Sequence, residues 1–261
     1  MESMDEQVRR SRKRRSFFVY HSKQAARKRI QKMMLVFIGA IAMFSLSACS
    51  FSPFDAVAKD STTTFKEVLE LISDRVEYEE EDAGWVLTAP DDSVRFVWSE
   101  DYSKTPLYDI MFELNTRSFL DAGLVISKMP RGYVFYENKL MIGKKLGSDE
   151  LKYSGEITPL DAYEQIVKHH RHVIGYHTAL DHYNVDLGNG NFFEWAKDFS
   201  INTETKENQD QDIVFVLNPE PFIEAGVDPQ KVEGWTYMTV TVDVDGKPTE
   251  VYKFLKPFDL Q

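Results

Sequence analysis

One cysteine, Cys49, stands in 261 residues, so no disulfide can form within the chain and stability has to come from a hydrophobic core. The motifs that announce common chemistries are missing as well. There is no Gly-rich phosphate loop, no dinucleotide fingerprint, no nucleophile elbow and no H-E-x-x-H stretch, which lowers the case for an enzyme without removing it. Long apolar runs are scarce. The longest, Met33 to Ala48, is 16 residues without a charge, short of the ~20 that a permanent membrane-crossing helix needs. Histidine is also scarce, and after Cys49 all five histidines fall between His169 and His182.

What is present begins with the address. A basic segment ending in Arg27, Lys28, Arg29 and Lys32 precedes the apolar run, and small residues follow it; charged, then apolar, then small is the order of a secretory signal. Leu46-Ser47-Ala48-Cys49 resembles the lipobox of bacterial lipoproteins, L-[SAT]-[AG]-C, whose cysteine receives a diacylglycerol thioether before cleavage. The resemblance implies that residues 1–48 are a lipoprotein signal peptide with a long basic leading region. It makes Cys49 the lipid attachment site and holds the protein at the extracytoplasmic face of the cell membrane by its acyl chains. It carries no information about the fold of the rest. The competing reading is an inert cysteine closing an ordinary transmembrane anchor.

Residues 1–48 hold 11 of the 31 Lys/Arg and 3 of the 42 Asp/Glu, so the chain from Cys49 onward has 20 basic against 39 acidic residues, a formal net charge of −19. Such a surface repels nucleic acid and anionic headgroups, so no nucleic-acid partner is expected. Between Cys49 and the first periodic segment, residues 49–63 contain Pro53 and the run Ser61-Thr62-Thr63-Thr64. They read as a flexible tether.

The chain then resembles itself. Asp109-Ile110-Met111-Phe112-Glu113-Leu114-Asn115 through Phe119 and Gly123-Leu124 aligns without gaps to Asp212-Ile213-Val214-Phe215-Val216-Leu217-Asn218 through Phe222 and Gly226-Val227. Upstream, Phe96-Val97-Trp98 matches Phe193-Glu194-Trp195, and Thr64, Glu67, Glu70 and Ile72 match Thr158, Asp161, Glu164 and Ile166. Three blocks in one order indicate a tandem duplication, 64–152 and 158–261, each copy with its own caps, turns and apolar faces.

Thr64 with Glu67, and Thr158 with Pro159 and Asp161, mark helix starts. Apolar residues at helical spacing follow them, Phe65, Val68, Leu69, Ile72 and Val76 in copy one. Trp85 to Ala89 and Val94 to Trp98 flank Pro90-Asp91-Asp92 as a hairpin, with Gly188-Asn189-Gly190 as the turn of copy two. Ile110, Phe112 and Leu114 alternate as a strand, Asn115 leads into a short helix that Gly123 ends, and a second hairpin closes each copy. The order α-β-β-β-α-β-β gives an α+β fold with helices packed on antiparallel sheets.

The histidines are not duplicated. His169 and His172 stand three apart at a helix end and could share one face to hold a divalent metal such as zinc, with His177 or His182 folding back from the following loop. A plainer reading stays open: Lys168, Arg171 and His172 complement the helix dipole, and the basic cluster faces the acidic run Glu79 to Asp82. Three functions are therefore carried forward. The first is a non-enzymatic ligand-binding or protein-interaction lipoprotein whose small-molecule or protein partner is unknown. The second is a metal-binding or metal-delivering lipoprotein using the His169–His182 cluster, and the third an envelope hydrolase without a recognisable motif.

Overall fold

The computed structural model describes residues 53–258 except 103, 105–106, 148–155, 179, 199–211 and 245–246. Residues 1–48, expected as a signal peptide, and Cys49 lie outside the described residues. Helix α1 spans Pro53–Leu71, so residues 53–63, expected as part of a tether, are helical. Proline suits a first helical position because its φ is pre-set and its missing N–H would have no partner there. The Ser/Thr run is accommodated because its hydroxyls turn back on the helix. Ser61 Oγ donates to Ala58 O at 2.8 Å, Thr62 Oγ1 to the same carbonyl at 3.1 Å and Thr63 Oγ1 to Lys59 O at 3.2 Å. Thr64 is thus a mid-helix residue and not a cap.

A 3-10 turn at Ser73–Arg75 leads to β1 (Val76–Glu79), β2 (Gly84–Thr88), β3 (Val94–Ser99) and β4 (Ile110–Asn115). Helix α2 (Arg117–Asp121), β5 (Tyr133–Tyr136) and β6 (Lys139–Lys144) complete the first half. The second half runs through α3 (Pro159–His169), β7 (Ile174–His177), β8 (His182–Gly188), β9 (Asn191–Ala196), β10 (Ile213–Leu217), α4 (Glu220–Glu224), β11 (Thr236–Val244) and β12 (Lys247–Pro257). Here the expected cap is present: Asp161 N donates to Thr158 Oγ1 at 3.1 Å and Thr158 N to Asp161 Oδ2 at 2.9 Å, a capping box with Pro159 just inside it.

The fold is α+β, with two similar six-stranded antiparallel sheets among the described residues. Their strand orders are β1-β2-β3-β4-β6-β5 and β7-β8-β9-β10-β12-β11. Each half therefore has four strands before its short helix, where three were expected. The additional one, Val76–Glu79 or Ile174–His177, is a four-residue edge strand. Val76, which the helical spacing places in the preceding helix, opens β1, because that helix ends at Leu71.

One hydrophobic core joins the halves, drawing on α1, α3 and the inward faces of both sheets. Matching residues meet each other across it. Phe96 stacks on Phe193 with ring centroids 4.5 Å apart, Phe112 lies 5.3 Å from Phe215, and Phe119 lies 4.8 Å from Phe222. The indole of Trp98 donates to Pro159 O at 2.9 Å, and that of Trp195 to Thr64 Oγ1 at 2.8 Å, so each tryptophan is tied to the helix of the opposite half. The backbones touch at the ends of the short helices. Val125 N donates to Ala225 O at 2.9 Å and Asp228 N to Ala122 O at 2.8 Å. Gly123 and Gly226, with φ of 106° and 105°, leave no room for a side chain: a Cβ on Gly123 would stand 2.7 Å from Gly226 O. Among the described residues no helix is long and apolar enough to cross a membrane.

Candidate functional site

Strands β7 and β8 are adjacent in the chain and antiparallel, and their register sets His177 opposite His182. Directly paired residues project to the same side of a sheet, so the two imidazoles are neighbours. Strand β9 pairs Ala196 with His182 and Asn184 with Glu194, which brings the Glu194 carboxylate diagonally beside them. Glu194 Oε2 lies 3.8 Å from His177 Nδ1 and 3.6 Å from His182 Nδ1, ion-pair contacts rather than hydrogen bonds. On its other side His177 Nε2 is 2.9 Å from Thr241 O.

An imidazole whose Nε2 donates to a carbonyl turns a positive charge toward the carboxylate at its other nitrogen only when that nitrogen is protonated too. The Glu194 carboxylate, with the Thr241 carbonyl, accordingly holds the His177 imidazole above the ordinary histidine value of 6.5 against the opposing effect of burial. Burial would push Glu194 up, but His177 and His182 together outweigh it and hold its carboxyl below the usual value.

The contact with Thr241 also shapes the sheet. Strand β7 is one edge and β11 the other, yet His177 of the first reaches Thr241 of the second. The β11–β12 hairpin, paired from Thr236 with Leu255 out to Val244 with Lys247, therefore curls over the outward face of its own sheet, as strands do when a sheet begins to close on itself. Beneath it is a cavity of about 200 Å³ lined by Tyr176, His177, Thr178, Asn184, Glu194 and Lys253 together with the apolar Leu180, Phe192, Val216, Val240 and Leu255. Lys253 Nζ donates to Gly190 O at 2.8 Å and stands 5.6 Å from the Phe192 ring centroid. Burial pulls the Lys253 ammonium below its ordinary value.

The first sheet treats the same positions differently. Registers β3–β4–β6 and β9–β10–β12 set Arg95, Glu113 and Met141 in line in one sheet and Phe192, Val216 and Leu255 in the other. Glu79 matches His177 through the partners Gly84 and His182. In the first sheet these places hold a charge network and not a cavity. Arg95 Nη1 and Lys139 Nζ each lie 2.7 Å from Glu113 Oε1, and Arg95 Nη2 reaches Glu79. Phenylalanine and valine in place of Arg95 and Glu113 remove the pair that would fill the space.

The expected metal ligands are not gathered into one site. His169 and His172 are exposed, at the end of α3 and in the 3-10 turn Arg171–Val173, whereas His177 is a strand residue facing the cavity. His177 and His182 sit on paired strands rather than on a loop folding back to the helix. Among the described residues no group of three or more His, Cys, Asp or Glu is placed to hold a metal ion. His170 packs by its ring against Tyr102, 5.2 Å between centroids, as an apolar-face residue should. Glu194 and Lys253 were not singled out in the sequence. Their signal lay in comparing the halves: Glu194 breaks an apolar strand where the first half has Val97, and Lys253 has Val216 where Lys139 has Glu113.

No family model matches the chain, and no curated protein or solved structure is significantly similar to it.

Proposed function

We propose that the chain is a membrane-anchored extracytoplasmic lipoprotein acting as a non-enzymatic ligand-binding module, its ligand held beneath the β11–β12 hairpin. The observation that carries the binding role is the cavity itself: a space with an apolar wall and a few convergent polar groups, three of them with perturbed proton affinities, is what small-molecule sites look like. The lipobox-like Leu46-Ser47-Ala48-Cys49 supports the address. The two sheet units are read as a tandem duplication, each copy the order α-β-β-β-α-β-β extended by its edge strand. Contact between matching residues across the core supports this, since two-fold packing of like units brings each residue near the axis against its own counterpart.

Two measurements test the reading. A ligand-detected fragment screen against the full chain in detergent should return small-molecule hits that vanish when Val216→Trp fills the cavity; hits indifferent to that substitution count against the site. Labelling with a fatty acid should mark the chain and fail for Cys49→Ala, and label retained by the variant refutes the anchor.

A further inference from the structure

We infer that the cavity takes a small monocarboxylate with an apolar body, the carboxylate seated on Lys253 where Glu113 sits on Lys139 in the first sheet. This rests on the ligand-binding reading of the cavity and names the chemistry of what fills it.

The argument starts from the matching lysines. Strand β6 pairs Lys139 with Asn115, and strand β12 brings Lys253 one step beyond the pair Leu217 and Phe254, alongside Asn218. Lys139 has its carboxylate, Glu113 Oε1 at 2.7 Å. Lys253 has Val216 in the corresponding place, and its ammonium meets one carbonyl and one aromatic face. Among the described residues no carboxylate forms an ion pair with it. A partly buried ammonium without a counter-ion is costly. Glu194, Glu220 and Asp186 act on it only from a distance: Glu194 is already placed between His177 and His182, and Asp186 is paired with Lys144 at 2.7 Å. One ammonium thus has no carboxylate in direct contact among the described residues, which fits one negative charge, and the acids around it disfavour a dianion.

The remainder of the wall sets the body of the ligand. Phe192, Val216, Val240 and Leu255 offer no hydrogen bonds from their side chains, while Thr178 and Asn184 can each meet a single polar substituent, so the rest of the molecule is mainly apolar. The volume, about 200 Å³, is somewhat larger than the ~150 Å³ of an engineered apolar cavity that admits benzene. A ring or short chain with one acid group matches it; a sugar, a nucleotide or a peptide does not.

Calorimetric and NMR titration of the full chain in detergent with benzoate and hexanoate, and with benzamide as the uncharged control, decides the point. Both acids are expected to bind and to shift the resonances of Phe192 and Val216. Lys253→Met should weaken them about tenfold or more, the worth of a charge-assisted hydrogen bond, while Lys253→Arg keeps most of the affinity. Val216→Glu should restore the internal pair of the first sheet and abolish acid binding in a folded protein. If benzamide binds as well as benzoate and Lys253→Met changes neither, the cavity is a ligand site but not a carboxylate site, and the inference falls alone. Should none of the three probes bind, the inference and the reading beneath it both fall.

Discussion

Glu194 occupies a position where its neighbours, Phe193 and Trp195, are fully buried, and its charge is kept there by two imidazoles. For His177, a folded-state proton affinity above the ordinary 6.5 means stabilisation that is present at lower pH and lost as pH rises through the folded value. For Glu194, an affinity below the ordinary 4.5 means stabilisation that is present above that value and lost as pH falls through the depressed one. The cluster therefore ties β7 to the hairpin most firmly between about pH 4.5 and 6.5. Titration of the His177 ring followed by NMR should give a midpoint above 6.5, and Glu194→Gln should bring it down. An unchanged midpoint in that variant would show that the carboxylate does not govern the ring. Lys253 opposes the shift in His177, so Lys253→Met is expected to raise the midpoint further.

Single elements respond to their end residues. Removing the capping box with Thr158→Ala should cost about 1 kcal/mol, measured as a displaced denaturation midpoint with unchanged slope, whereas Thr64→Ala acts through the lost acceptor for Trp195 and not through a helix start. Gly123→Ala should cost about 1–3 kcal/mol, because both its positive φ and the carbonyl of Gly226 resist a side chain; near-neutral behaviour would mean that the short helices separate easily. The inward faces were legible beforehand because alternation within each half and agreement between halves pointed the same way, as at Phe96, Trp98, Phe193 and Trp195. Strand β1 was not. Val76-Glu77-Tyr78-Glu79 is short, lies at an edge and is half acidic, and its first residue, Val76, continues the apolar spacing of the neighbouring helix. The N-terminal reach of α1 was hidden for a related reason, since serine and threonine lower helix propensity locally while their back-bonded hydroxyls and burial of Ser61 act only in the folded protein. The curl of the hairpin depends on His177 meeting Thr241, a contact between residues far apart in sequence that no local pattern encodes.

At the scale of the molecule the two halves share their interior. A chain beginning near Thr158, which carries its own caps and turns, is expected to lose cooperative unfolding, because Phe193, Trp195, Phe215 and Phe222 pack against the first half. A sharp denaturant transition for that fragment would overturn this. In the full chain Phe96→Ala should remove about 3–5 kcal/mol and lower one transition, seen alike by probes in either sheet. The crossed indole bonds have an optical consequence. Trp98 and Trp195 are both fully buried and donate across the seam, one to Pro159 and the other to Thr64. Their emission therefore reports the seam before it reports the strands: any loosening that parts the halves admits water to two of the four tryptophans at once and shifts their fluorescence to the red while the far-ultraviolet signal of the sheets is still intact.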